Sequence, residues 1–337
     1  MKNNFSGADH EGVAKFYKDT NRFKAREYEE WLSKKFIDHN DRIKSEWVFE
    51  HTECPVCNSD LSYSRILFKK SGYIHWRCEN CESLYTNPSL NNEAILTEVY
   101  GHTAYPFLDI VNSKNQINFD KNKFKEALET IINDGLVPQN SSVFDFGCGS
   151  GVFLHLCKEY GFKDQFGNDV LKEAVKFARN NYNLQNVLCE DATRDLNRLN
   201  SEIKIIALWE LLDHLNEPTK LLNELISKIS RGCYIIISVR NADSLAAKIL
   251  RDKCNMFLGH AHFNFWSNKA INNLINNNTF TTVDYYQYIS ERDVICNYVN
   301  YQEPYASAAN ELDWLPSKEE ILNKRLGYKH VLILKKK

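Results

Sequence analysis

From residue 141 onward the hydrophobic positions alternate between short β-type runs and stretches of helical period. Ser142–Phe146, Gln165–Val170, Val187–Cys189, Lys204–Trp209, Cys233–Val239, Thr281–Ile289 and Tyr328–Leu334 read as strands. Val152–Tyr160, Lys172–Tyr182, Pro218–Ile229 and Asn268–Asn276 lie between them with apolar residues at helical spacing. Such alternation predicts an α/β domain with a doubly wound sheet and ligands at the carboxyl ends of its strands. The last strand has no crossover helix of its own beyond an irregular insertion over 291–327. Upstream, Phe16, Tyr28, Trp31, Leu32, Phe36, Ile37 and Ile43 recur among charges between Glu11 and Trp47. This predicts amphipathic helices in a segment 1–48 that docks on its own chain. A further helix is expected over Phe119–Asn133, with Phe124, Leu128, Ile131 and Ile132 on one face and Gly135 and Pro138 behind it.

Composition narrows the setting. The 337 residues suffice for about two domains. A net charge of −2 provides no basic field for nucleic acid. The longest apolar run, Tyr234–Val239, is too short to cross a bilayer, and the first residues contain no apolar leader core.

Ten cysteines change the picture. Four stand in pairs, Cys54-Pro55-Val56-Cys57 and Cys78-Glu79-Asn80-Cys81, twenty residues apart. Two such pairs can place four thiolates tetrahedrally on one Zn²⁺ and leave no open position for water. This predicts a zinc ribbon over 49–92 with a structural metal. The other six cysteines are scattered, as reduced thiols in a cytoplasm would be.

The chemistry centres on Val143-Phe144-Asp145-Phe146-Gly147-Cys148-Gly149-Ser150-Gly151. A strand ends in an acid, breaks into glycines and enters a helix. Glycines there let backbone N–H groups approach a ligand at the helix start. The spacing differs from the G-x-G-x-x-G of dinucleotide enzymes, and the Asp145 carboxylate would repel a pyrophosphate. It suits a ligand with an ammonium and a sulfonium, which S-adenosylmethionine has. Asp169, eighteen residues past Gly151, stands where a carboxylate can take two ribose hydroxyls, or where it can cap the next helix.

The nine residues resemble motif I of the class I methyltransferases. The resemblance extends over about residues 50–290. It includes the ribbon, the exit Leu84-Tyr85-Thr86-Asn87-Pro88-Ser89, a short helix over Asn91–Tyr100 and a loop bearing Tyr100, His102, Tyr105 and Phe107. It implies a Rossmann-like seven-stranded sheet over 135–337 with an antiparallel last strand at its edge, preceded by a helical cap over 93–134. It further implies that Asp191 meets the adenine amino group while Ala192 lets the base lie flat. Gly147, Cys148, Gly149, Gly151, Val170 and Trp209 complete the expected cofactor set. Glu210-Leu211-Leu212-Asp213-His214 resembles the acid-x-x-acid-His of motif IV, and His260-Ala261-His262 the later histidine stretch.

Methyl transfer from a sulfonium is an in-line displacement that needs alignment and, for a hydroxyl acceptor, removal of a proton. His214 is the candidate base. Alternatively, Glu210, Asp213 and His214 hold a divalent cation at the acceptor site, or His214 only ties its loop to the sheet. His262 and Tyr105 are secondary candidates. The sequence thus predicts O-methylation of a small-molecule acceptor such as a sugar, nucleotide-sugar, glycan unit or secondary metabolite. An RNA methyltransferase gripping its substrate through the ribbon is the alternative.

Overall fold

A computed structural model describes residues 18, 24–101, 107–300 and 312–337; the Tyr105 assignment lies outside them. Thirteen strands form three sheets among the described residues. In chain order they are β1 (Val48–Phe49), β2 (Ser64–Lys70), β3 (Tyr73–Cys78), β4 (Leu84–Thr86), β5 (Ser89–Leu90), β6 (Ser142–Phe146), β7 (Gln165–Asp169), β8 (Val187–Cys189), β9 (Ile203–Trp209), β10 (Tyr234–Arg240), β11 (Asn264–Phe265), β12 (Phe280–Tyr288) and β13 (Lys329–Lys336).

The large sheet has the order β12-β13-β10-β9-β6-β7-β8. β6 pairs in parallel with β7 on one side and with β9 on the other. The chain therefore reverses its winding direction at β6, and a doubly wound sheet opens its ligand crevice at such a point. The apolar runs explain the layering. Phe144, Phe146, Ile206, Leu208, Ile235 and Ile237 face one layer, which contains the helix Pro218–Lys228. Val143, Ile205, Ala207, Trp209 and Ile236 face the other, covered by Lys114–Asn133 and Val152–Glu159. Among the described residues no helix is long and apolar enough to cross a membrane.

Two expectations need correction. β13 is antiparallel, but it is not the edge. It runs between β10 and β12, hydrogen-bonded to both, and β12 is the outer strand. Its unbroken run Val331-Leu332-Ile333-Leu334 is buried throughout, as fits a strand covered on both faces. Nor is 291–327 wholly irregular. Arg292–Val299 and Lys318–Asn323 are helices, the second opened by a capping box between Ser317 and Glu320. Val294, Ile295 and Cys296 pack with Ala246, Ala247 and Leu250 of a short helix.

The N-terminal helix Lys24–Phe36 docks on its own chain. Leu32 and Phe36 pack with Tyr73, Leu90 and Val99, and the Tyr28 hydroxyl donates to the Val99 carbonyl at 2.8 Å. The ribbon sheet has the order β11-β4-β3-β2. Its fourth strand, β11, is supplied by the chain after β10. Ser267 donates its N–H to Ser83 Oγ at 3.1 Å and its hydroxyl to the Cys81 carbonyl, and the Thr219 hydroxyl donates to the Pro55 carbonyl. The cysteine knuckles thus rest on the face of the large sheet that carries Phe144 and Leu208.

Candidate active site

The glycine loop leaves β6 at the switch point. Gly147 donates to Asn168 Oδ1 at 3.1 Å, and Gly149 donates to Asp169 Oδ2 at 2.8 Å. Cys148 N–H bonds the Asn168 carbonyl at 2.8 Å. The end of β7 therefore fixes the loop. Gly149 has φ +53° with open space where a Cβ would stand, while a Cβ on Gly151 (φ +79°) would come within 2.8 Å of Leu184 Cδ1. The first glycine keeps the loop surface bare and the second seats the helix Val152–Glu159.

Three acids stand at or near the carboxyl ends of β6, β7 and β8. Asp145 is 2% exposed, and its Oδ1 has no hydrogen-bond partner among the described residues. Burial, with Asp169 nearby, pushes its carboxyl well above the usual range, against the pull of Lys123. A bound cation would restore the charge, so an ammonium fits the orphaned oxygen. Asp169 also accepts from Leu171 N–H at 2.8 Å. The cap expectation is corrected: the helix Lys172–Tyr182 has Leu171 as its N-cap, with no side-chain cap, and Asp169 lies two residues before it. Asp191 accepts from Thr193 N–H at 2.8 Å beside buried Ala192. Val170 accepts at its carbonyl from the Cys189 thiol at 3.7 Å. Cys148 is buried beside the loop.

β9 ends in Trp209, which packs on Phe124 and Phe153 at 4.8 and 5.8 Å between ring centroids. Glu210 follows with φ +54°, a left-handed conformation costing a non-glycine residue about 1 kcal/mol. Its carboxylate is fully engaged. Oε1 accepts from Lys123 Nζ and from Tyr288 OH, both at 3.1 Å, and Oε2 accepts from Lys329 Nζ. Although burial opposes it, the lysines and Arg240 hold this carboxyl well below its ordinary range. Asp213 is wholly buried against Arg240, accepting from Nη1 at 2.8 Å and from the backbone N–H. Burial raises its carboxyl to about 6 against that pull.

The divalent-cation expectation is therefore corrected. Glu210, Asp213 and His214 do not converge on a common point, because two lysines and an arginine occupy the two carboxylates. Among the described residues only Cys54, Cys57, Cys78 and Cys81 form a group that could hold a metal.

His214 lies half-buried at the same mouth. Its Nδ1 is 3.1 Å from the Tyr100 hydroxyl, and its ring meets His262 edge-on at 4.4 Å. Burial and the nearby Arg240 lower its pKa to about 3, and a hydrogen bond to the Ala261 backbone only partly opposes them. The imidazole is neutral at pH 7. Burial likewise raises the Tyr100 phenol, with Asp169 contributing. His262 Nδ1 is buried without a partner among the described residues.

Lys123, Tyr288, Arg240 and Lys329 were not foreseen. Lys123 carried the one local signal. It interrupts an apolar helix face beside Phe124, where a lysine is buried only if paired.

The four cysteine sulfurs lie within 4.8 Å of one another, with Cys54–Cys81 and Cys57–Cys78 at 3.7 Å. Sulfurs about 2.3 Å from a shared tetrahedral Zn²⁺ stand about 3.8 Å apart, so the group could bind zinc. The two knuckles are built alike. Asn58 and Glu82 adopt positive φ and donate to the Cys54 and Cys78 carbonyls at 2.8 Å.

These features define a class I methyltransferase fold. The sheet has six strands in one direction and β13 reversed, with a glycine loop at the switch point. A family described as a methyltransferase domain matches residues 117–285, half of the chain, and the chain belongs to it. The protein is a methyltransferase. Similar solved structures include a SAM-dependent methyltransferase from Archaeoglobus fulgidus, 22% identical, covering 69% of this chain and 100% of that one at a TM-score of 0.46. Magnesium protoporphyrin IX methyltransferase from Synechocystis PCC 6803 with bound SAH is 14% identical, covering 73% and 100%, at 0.49. The plantazolicin methyltransferase BpumL with SAH is 16% identical, covering 73% and 95%, at 0.45. No curated protein sequence matches.

Proposed function

We propose that the enzyme methylates a hydroxyl of a small polar molecule, with Tyr100 touching the acceptor and His214 behind it as the proton acceptor. The carrying observation is the Tyr100–His214 hydrogen bond at the mouth of β9, with Tyr100 in the electrostatic range of Asp169. Asp145, Asp169 and Asp191 with the Gly147–Gly151 loop would hold the cofactor. S-adenosylmethionine supplies an electrophilic methyl on a sulfonium, which gives up one positive charge as the methyl leaves.

The residues then handle one proton. The acceptor O–H breaks towards the Tyr100 oxygen, and the Tyr100 proton passes to His214 Nδ1. A hydrogen bond to the Ala261 backbone favours the resulting imidazolium, against burial and Arg240. His262 would orient a second polar group of the acceptor. Glu210 serves as the anchor that keeps Trp209 and the strand end in place, since its oxygens are already engaged.

A small acceptor is favoured over RNA by the state of the ribbon. Arg65 pairs with Glu79, Arg77 with Glu82 and Lys69 with Asp41, while Lys70 donates to the Cys254 carbonyl. Little free cationic surface remains there for a phosphate backbone. The ribbon instead acts as structure, and its Cys54, Cys57, Cys78 and Cys81 would carry Zn²⁺.

Tyr100→Phe and His214→Gln are expected to lower methyl transfer by about 10²–10⁴-fold, the usual range for losing acid–base help. Both should bind S-adenosylhomocysteine as the parent does. Transfer of labelled methyl to a small-molecule extract and to total RNA gives the readout. Near-parental rates in both variants would remove the relay. Label in RNA rather than in the small molecules would overturn the acceptor class.

A further inference from the structure

The N-terminal helix Lys24–Phe36 reaches the mouth of the site through one peptide group. Ala94–Val99 forms a π-helical turn, and Tyr100 follows it directly. Such turns are rare and often stand at functional sites. The peptide between Val99 and Tyr100 is planar, so its carbonyl, its N–H and the Tyr100 Cα move as one unit. Both polar atoms of that unit are tied down. The Tyr100 N–H donates to the Ile95 carbonyl at 3.0 Å, and the Tyr28 hydroxyl donates to the Val99 carbonyl at 2.8 Å. The same hydroxyl is 3.2 Å from the Glu98 carbonyl. The last carbonyls of a helix have no partner within it, and here the donor comes from another helix.

Tyr28 is itself held in place. It is buried, and its ring stacks on Trp31 with centroids 5.6 Å apart. One and two turns further on, Leu32 and Phe36 lie in one buried cluster with Ala94, Ile95 and Val99. Lys35 pairs with the Glu98 carboxylate. Burial and Glu98 push the Tyr28 phenol up to about 12, so it keeps its proton at neutral pH. Once the peptide plane is fixed, only the Tyr100 φ and side-chain torsions decide where its hydroxyl goes. That hydroxyl stands 3.1 Å from His214 Nδ1. It is the far end of a long side chain, so a small tilt of the plane is amplified there.

We infer that Tyr28 is a positioning residue for methyl transfer: its hydroxyl holds the peptide plane that aims Tyr100 at His214. The inference rests on the Tyr100–His214 reading of the site. Tyr28 acts through Tyr100 and not on the reacting atoms. The segment before the ribbon thereby gains a part in the reaction. The arrangement also accounts for a hydroxyl on the buried face of this helix, in line with Leu32 and Phe36.

The test is a double-mutant cycle in the full chain, with labelled S-adenosylmethionine and a small-molecule extract as the probe. Tyr28→Phe keeps the ring and removes only the hydroxyl. It is expected to lower methyl transfer about 10-fold, since misplacing a reacting group by about 1 Å can cost about 100-fold. Affinity for S-adenosylhomocysteine should stay at the parental value, and the melting temperature should fall by only about 2–4 °C. In the Tyr100→Phe background, assayed with proportionally more enzyme, the same substitution should lower transfer no further. Equal loss in both backgrounds would mean a general packing role and overturn the inference. So would a parental rate in Tyr28→Phe, or a melting temperature more than about 10 °C below the parent. A parental rate in Tyr100→Phe alone would remove the relay itself, and the inference with it.

Discussion

Removing metal from the four-cysteine site is expected to unfold the ribbon and abolish methyl transfer together. Cys54, Cys78 and Cys81 are buried in one apolar cluster with Phe146, Leu208 and Trp266. Without a cation their thiolates would face each other across 3.7 Å or be protonated and unpaired. A structural zinc contributes on the order of 10 kcal/mol to such a site. The damage would spread, because β4 pairs with β11 and Phe263 N–H bonds the Asp213 carbonyl at 2.8 Å. That contact fixes the loop on which His214 stands. Chelation, or Cys78→Ser, should release about one Zn²⁺ per chain. The melting temperature should drop by more than about 10 °C. Metal analysis and thermal melts measure both. Protein that contains no metal when purified without chelator, yet melts at the same temperature after chelation, would contradict the site.

Arg240→Met is expected to cost about 3–5 kcal/mol, the usual penalty for leaving one member of a buried ion pair alone. Asp213 is wholly buried, and Arg240 supplies its Nη1 and backbone N–H contacts. The guanidinium also bonds the Tyr328 hydroxyl at 3.1 Å through Nε. A single substitution would thus leave a buried carboxylate without its counter-charge, held only by the backbone N–H of residue 240, and loosen the start of β13. Asp213→Asn combined with Arg240→Met should recover part of the loss, since no charge is then stranded. Urea unfolding of the parent and the two variants measures this. A single variant within about 1 kcal/mol of the parent would show that the pair carries no such weight.

What the sequence disclosed was local. Asp145 through Gly151 carries its own geometry, because the glycines and the strand-end acid sit within nine residues. The cysteine pairs likewise announce a tetrahedral site by spacing alone, and all seven strands of the large sheet were legible from their apolar runs. Sheet order was harder. Whether Lys329–Lys336 lies at an edge depends on where β12 docks, and only the unbroken run Val331–Leu334 hinted at cover on both sides. The polar cluster was not legible at all. Lys123, Glu210, Tyr288 and Lys329 come from four elements spread over some two hundred residues. Nothing local says that an acid at a strand end meets two lysines instead of a metal. The pairing is a consequence of tertiary placement, and it removed Glu210 and Asp213 from the cation expected there.

The central claim is that the crevice beyond β6 and β7 holds S-adenosylmethionine, with Asp169 on its ribose. Calorimetric titration of S-adenosylhomocysteine into the parent and into Asp169→Ala tests it most directly. The account predicts saturable binding at one site per chain. In Asp169→Ala it predicts weakening by about 10–100-fold, from loss of charge-assisted hydrogen bonds and of the Gly149 anchor. No heat of binding in a folded parent, or an unchanged dissociation constant in Asp169→Ala, would contradict it.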